Sequence, residues 1–246
     1  MQQQLDFYRE NGYVVVPQAL SAYQVEIINQ VIDRDLVDNR PLWIEREEGR
    51  TILNVHALLC HAEMDITIRP PTLLPLLYEI LGDQLCAEEH SVRIRHPNPD
   101  GEPYCHWHRD TGGSPGAKAP YFTRYISVAF YLSDCDDTTH TFSVIPGSAN
   151  SSERPGLETY DLQRAHHITG AEGTAVLFNA ELFHAGNVRR TSVERRTIHI
   201  YCGRIADRYL SDYTLFPRRL WQGKGADVQK YYSRPNPVTQ AVLDHF

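Results

Sequence analysis

The spacing of apolar residues changes character near Gly82. Before it the pattern is mostly helical. Residues 1–11 read as a helix that Gly12 can close with a left-handed residue. Tyr13-Val14-Val15-Val16 reads as a strand stopped by Pro17. Ser21 and Gln24 form a capping-box pair ahead of Val25, Ile28, Val31, Ile32 and Leu36, which recur at helical spacing. A third helix is predicted over Pro71–Leu81, with Pro71 in its first turn and Gly82 at its end. After Gly82, short apolar or alternating runs take over: Ser91–His96, Tyr104–Asp110, Tyr125–Leu132, Phe142–Ile145, Thr174–Phe178 and Thr197–Tyr201. Gly, Pro and Asn turns separate them, which predicts a mainly β sandwich or barrel with N-terminal helices packed outside. The turn Gly112-Gly113-Ser114-Pro115-Gly116 is placed to act as a lid. Residues 1–246 read as a single domain. It divides into a helical flank over about 1–82, a β core over about 83–206 and an extension over about 207–246 that wraps the core in irregular or short helical pieces.

Composition narrows this further. With 246 residues, 41% of them hydrophobic, the chain can bury one sizeable core. A formal charge of −7, with arginines in pairs rather than a basic run, argues against nucleic acid as the partner and leans towards a neutral or cationic small molecule. No apolar run approaches membrane-spanning length, and the N-terminus lacks the features of a signal peptide. The five cysteines are scattered without a C-x-x-C pair, as expected of reduced thiols in a cytoplasmic protein. No pattern in the chain sets its oligomeric state.

The chemistry concentrates in Tyr104-Cys105-His106-Trp107-His108-Arg109-Asp110. If this segment is extended, His108 and Asp110 share a face. A third ligand is available in His184, just after the apolar run ending at Asn179. Two histidines and a carboxylate leave several coordination positions open, the arrangement of non-haem Fe(II) oxygenases. Arg195 follows His184 by eleven residues. If His184 ends one strand and Arg195 begins its antiparallel partner, a guanidinium and an iron ion face one cavity, which suits 2-oxoglutarate. One end of that molecule chelates iron, and the other needs a bidentate cation. In an alternating strand, Thr197, His199 and Tyr201 face the same way as Arg195, and Arg196 faces the opposite way.

Four stretches together resemble the phytanoyl-CoA dioxygenase family of Fe(II)/2-oxoglutarate oxygenases: Phe7–Pro17, Trp107–Gly112, Val144-Ile145-Pro146-Gly147-Ser148, and His184-Ala185-Gly186-Asn187 leading to Arg195-Arg196. The resemblance implies a double-stranded β-helix, or jelly roll, with flanking helices. It implies Fe(II) held by His108, Asp110 and His184, 2-oxoglutarate anchored by Arg195, O2 as oxidant and ascorbate as an activator. It also implies hydroxylation or related C–H oxidation of a small-molecule substrate, of the kind handled in secondary metabolism. Because Asp110 is a carboxylate, hydroxylation is expected over halogenation. The chain departs from the family at Thr138-Thr139-His140-Thr141 and at Ala149, positions expected to shape the pocket rim. Two other classes fit the ligand set: a zinc hydrolase, and a non-catalytic binding protein on the same fold.

Neighbouring residues carry milder expectations. Ser127 and Thr197 are candidate cofactor contacts, Tyr104 a candidate pocket residue, and His199 a cofactor-pocket or core histidine. Arg93 and Arg95 are read as either ligand contacts or surface ion pairs, and His106 as a core or supporting histidine. Trp107 and Phe183 are expected as core or pocket wall, His140, His166 and His167 as solvated loop residues, and Cys105 as facing away from the site. Asn187 is expected to shape the turn after His184.

Overall fold

The computed structural model describes residues 1–111, 123–151, 153–207, 211, 214–232 and 237–245. The predicted lid at Gly112–Gly116 falls outside these. The helices are α1 (Gln2–Asn11), α2 (Ala22–Asp38), α3 (Ala57–Cys60), α4 (Asp65–Ile68), α5 (Leu74–Leu81), α6 (Ala226–Tyr231) and α7 (Pro237–His245). The strands are β1 (Tyr13–Val16), β2 (Ile44–Arg46), β3 (Thr51–Asn54), β4 (Leu85–Arg95), β5 (Tyr104–Cys105) and β6 (Ile126–Tyr131), followed by β7 (Thr141–Val144), β8 (His166–Ile168), β9 (Ala175–Asn179), β10 (His184–Val188) and β11 (Arg195–Arg204). They form two antiparallel sheets, ordered β1-β9-β6-β11-β4-β3-β2 and β5-β10-β7-β8.

The first two helices form where their caps place them. Gly12 ends α1 at φ 80°, and its N–H donates to Tyr8 O. Ser21 and Gln24 close the capping box of α2 in both directions. The third predicted helix starts later than expected, at Leu74, because Pro75 rather than Pro71 occupies its first turn.

The large sheet is covered on both faces, so β6 is buried along its whole length. Ile126, Val128 and Phe130 join the helix-side core with Val25, Ile28, Val31 and Leu77. Tyr131, Val176 and Phe178 point the other way, where they meet Phe142 and Val144 of the small sheet. This inner layer is where a site can form, since each inward position of β11 and β4 faces the small sheet.

The N-terminal region is more than a helical flank. β1 pairs with β9, and the β2–β3 hairpin adds to β4, so three strands of the large sheet come from the first 82 residues. The hairpin escapes sequence reading because its turn runs Glu47-Glu48-Gly49, all at positive φ (53°, 58° and 83°), without the Asn-Gly or Asp-Gly signal. Tyr104–Asp110 is likewise not one strand. Only Tyr104 and Cys105 pair with β10, after which a single backbone bridge joins His108 to His184.

Candidate active site

The bridge between His108 and His184 sets the geometry of the site. Each backbone N–H donates to the other's carbonyl at 3.0 Å, while Asp110 N–H donates to Ala180 O at 3.0 Å. Arg109, which sequence reasoning passed over, fastens the segment from behind. Its guanidinium donates to the carbonyls of Glu181, Pro155 and Ser148 and lies 3.8 Å from the Phe183 ring centroid. The Ile145–Ser148 stretch braces the other side, with Ser148 Oγ accepting from Phe183 N–H at 2.9 Å.

These constraints bring His108, Asp110 and His184 together. Asp110 Oδ1 lies 3.5 Å from His108 Nε2 and 3.4 Å from His184 Nε2. Donors bound to one ion at about 2.1 Å sit roughly 3–3.5 Å apart, so the three fit a metal with little adjustment. The histidine tautomers suit this role as well. His108 Nδ1 faces His106 O and His184 Nδ1 faces Leu182 O, both at 2.9 Å. Each Nδ1 therefore carries the proton, which leaves the Nε2 lone pair for a metal. Burial alone would raise the pKa of Asp110, but the two imidazoles hold it well below the usual carboxylate range, so the carboxylate is ionised.

Tyr201 completes the arrangement. Its hydroxyl donates to Asp110 Oδ2 at 2.9 Å, which occupies one carboxylate oxygen and leaves Oδ1 for coordination. Tyr201→Phe is expected to keep the fold and to weaken Fe(II) affinity roughly 10- to 100-fold, the usual effect of losing a partner to a ligand. A metal titration followed by calorimetry would measure it, and unchanged affinity would show that the bond has no such role.

A cavity of about 130 Å³ opens beside the two imidazoles, lined among others by Arg93, His106, Arg195, Thr197, His199 and Tyr201. The alternation expected along β11 therefore holds in the structure. The pairing expected of His184 and Arg195 does not. β10 and β11 lie in different sheets, and the two residues meet across the sandwich. The guanidinium of Arg195 reaches over to the small sheet. There it donates to Thr141 O at 2.5 Å and passes close to Gly186, where a Cβ would stand 3.6 Å from Nη2.

Among the described residues Arg195 has no carboxylate partner, and its Nε has no hydrogen-bond partner. Burial and the nearby arginines pull its pKa down, which marks a guanidinium short of an anion. Its cross-strand neighbour Arg95 is in the opposite condition. Glu47 reaches in from the hairpin turn and pairs with Arg95 at 2.7 and 2.8 Å, while Tyr104 donates to the same carboxylate at 3.0 Å. Arg95 is therefore held in an internal ion pair, although it also borders the cavity. Arg196 turns outward, to Asp33 and Glu194 at 2.7 Å each.

Other expectations fare variously. Ser127 points to the inner face opposite Tyr201 and is wholly buried, but it does not line this cavity, which the larger Tyr201 side chain reaches instead. His106 is exposed at the cavity rim rather than in the core. His140 is fully buried, not solvated. It accepts from Arg189 N–H at 3.1 Å and lies 3.1 Å from His96 O, and burial lowers its pKa to about 4. His199 is held neutral, first by burial and then by Arg93 and Arg195. Cys105 turns to Asn187 Oδ1 at 3.5 Å. Asn187 lies within β10 rather than in a turn.

A search of curated protein sequences finds no match. The family model for phytanoyl-CoA dioxygenase (PhyH) matches residues 8–197. With this fold and this ligand set, the chain belongs to the phytanoyl-CoA dioxygenase family of iron- and 2-oxoglutarate-dependent enzymes. Solved structures agree on the fold. HygX from Streptomyces hygroscopicus, with nickel and 2-oxoglutarate bound, is 16% identical with a TM-score of 0.70, over 98% of each chain. EctD from S. alaskensis with bound Fe is 19% identical with a TM-score of 0.69, over 88% of this chain and 81% of that one. SnoK, an alpha ketoglutarate dependent carbocyclase from nogalamycin biosynthesis, is 18% identical with a TM-score of 0.67, over 83% and 84%. The core is accordingly a jelly roll with helices outside. No helix among the described residues is long and apolar enough to cross a membrane.

Proposed function

We propose that this enzyme hydroxylates, or otherwise oxidises at a C–H bond, a small molecule of the kind handled in secondary metabolism, with His108, Asp110 and His184 holding Fe(II) and Arg195 anchoring the distal carboxylate of 2-oxoglutarate. The observation that carries this reading is the unpaired Arg195 guanidinium, which faces a small cavity bordered by both imidazoles. A zinc hydrolase has no use for such a cation. A dianionic co-substrate supplies the missing carboxylate and can chelate the metal at its other end. When bound, iron and 2-oxoglutarate supply the oxidising power through oxidative decarboxylation with O2.

The protein's own residues do the positioning. The backbone bridge fixes the spacing of the two imidazoles, and the Nδ1 protons fix their tautomers. Tyr201 orients the carboxylate, and Glu47 neutralises Arg95 so that it does not compete with Arg195 for the co-substrate. Thr197 and neutral His199 line the chamber beside Arg195. The related structures extend the range of outcomes on this fold, since a carbocyclase and an epimerase are among them. The test is succinate formation by purified protein given Fe(II), ascorbate, O2 and 2-oxoglutarate across a panel of small molecules. Succinate stimulated by a substrate is the expected result. Its absence from protein shown to bind iron would remove the oxygenase reading.

A further inference from the structure

A second chamber, of about 330 Å³, lies towards the β2 edge of the large sheet. Cross-strand register puts Ile44, Leu53 and Arg93 in one row with Thr197, and Arg46 stands two residues along from Ile44 on the same inner face. The chamber shares Arg93 and Tyr201 with the first cavity and reaches Asp110, so it borders the candidate metal site. Ile44, Leu53 and Val55 give it an apolar wall, and Ile44 is left 41% exposed there.

The charges on its walls do not balance. Arg46 and Arg93 both line it, and Glu89 is the carboxylate that faces them. Glu89 pairs with Arg93 at 3.7 Å, and Ser91 Oγ accepts from Arg93 Nε at 3.2 Å, which leaves the terminal nitrogens of that guanidinium to meet a ligand. Arg46 has no such partner among the described residues. The acids nearest to it along the hairpin are all taken: Glu45 by Arg40, Glu47 by Arg95 and Glu48 by Arg50. Asp110 belongs to the metal side, where Fe(II), the dianionic co-substrate, Asp110 and Arg195 together sum to zero. The chamber is therefore left with one uncompensated positive charge beside an apolar wall.

We infer that the second chamber binds the primary substrate, and that this substrate is a carboxylic acid, held as its monoanion by Arg46 and Arg93 with its hydrocarbon body on Ile44, Leu53 and Val55. This rests on the oxygenase reading above and deepens it by naming the substrate class. One carboxylate matches the one excess charge, and the guanidinium fork matches its two oxygens. The chain's net charge of −7 leans the other way, but it describes the whole surface and not one pocket. With the carboxylate held by the arginines, the hydrocarbon body lies in the chamber that reaches Asp110, where C–H oxidation needs it.

The test uses full-length protein loaded anaerobically with Fe(II) and 2-oxoglutarate. The visible charge-transfer band of the chelate reports separately on the underlying reading. The probes are hexanoate, cyclohexylacetate and phenylacetate, each beside its primary amide, which keeps the carbon skeleton and removes the charge. By calorimetric titration, at least one acid is expected to bind roughly 10-fold or more tightly than its amide, with the chelate band retained. Arg46→Gln, at an exposed position on the edge strand, should cut that preference by roughly 3-fold or more. Arg46→Gln combined with Arg93→Gln should erase it. The proposal is overturned if the wild-type protein prefers no acid over its amide, or if the preference is undiminished in Arg46→Gln. It is also overturned if acids bind only by displacing 2-oxoglutarate, seen as loss of the band. The wild-type and Arg46→Gln measurements decide the matter even where the double variant fails to fold. A chelate band missing from wild-type protein before any acid is added would instead bring down the oxygenase reading, and the substrate assignment with it.

Discussion

His108→Ala is expected to abolish iron-dependent turnover, by roughly 10³-fold or more, while leaving thermal stability close to wild type. The two halves of this expectation come from different features. His108 supplies one of three candidate donors, beside Asp110 Oδ1 and His184 Nε2, so its loss opens the metal site. Its side chain is 48% exposed, so the truncation leaves no buried cavity. Asp110→Asn completes the test from the buried side. The amide keeps the shape of the side chain and can still accept from Tyr201, but it removes the negative charge that both imidazoles face. Iron affinity should fall with little change in melting temperature. Full turnover in either variant, measured as succinate released per iron-loaded protein, would refute the ligand assignment.

Arg195→Gln is the second large effect. Loss of one charge-assisted pair costs about 2–3 kcal/mol, equivalent to a rise of roughly 30- to 150-fold in the 2-oxoglutarate concentration needed for half-maximal rate. Iron binding should be unchanged, since Arg195 reaches Thr141 O and Gly186 rather than the three ligands. Arg196→Gln is the internal control. It removes partly exposed ion pairs to Asp33 and Glu194, worth about 1 kcal/mol or less, and should leave the 2-oxoglutarate requirement where it was. Steady-state kinetics with varied 2-oxoglutarate separate the two. If Arg196→Gln produces the large shift, the anchor has been placed on the wrong face of β11.

What the sequence reveals of this site depends on how local each cause is. Period-2 alternation is a property of one strand, so Arg195, Thr197, His199 and Tyr201 could be placed on one face of β11, and Arg196 on the other, without knowing any partner. Caps are equally local, which is why Gly12 and the Ser21–Gln24 box mark their helices correctly. The causes that span the chain leave no such trace. Tyr201 meets Asp110 across 91 positions, and Glu47 meets Arg95 across 48. His108 and Asp110 converge although their segment is mostly not a strand. A backbone bridge to His184 and the clamp of Arg109 do what regular alternation was expected to do.

The β2–β3 hairpin contributes no metal ligand, yet Glu47 and Thr51 border the cavity beside Arg195, and Ile44, Leu53 and Val55, on it or beside it, line a separate chamber of about 330 Å³ that reaches Asp110. Its attachment to the sheet is through β3 alone, with β2 left at the edge. Variation at these three apolar positions therefore leaves the metal ligands and Arg195 untouched, provided that Glu47 in the turn keeps its pair with Arg95. Ile44, Leu53 and Val55 are therefore the positions at which to begin a directed-evolution library, with the candidate iron ligands, β11 and Glu47 held constant.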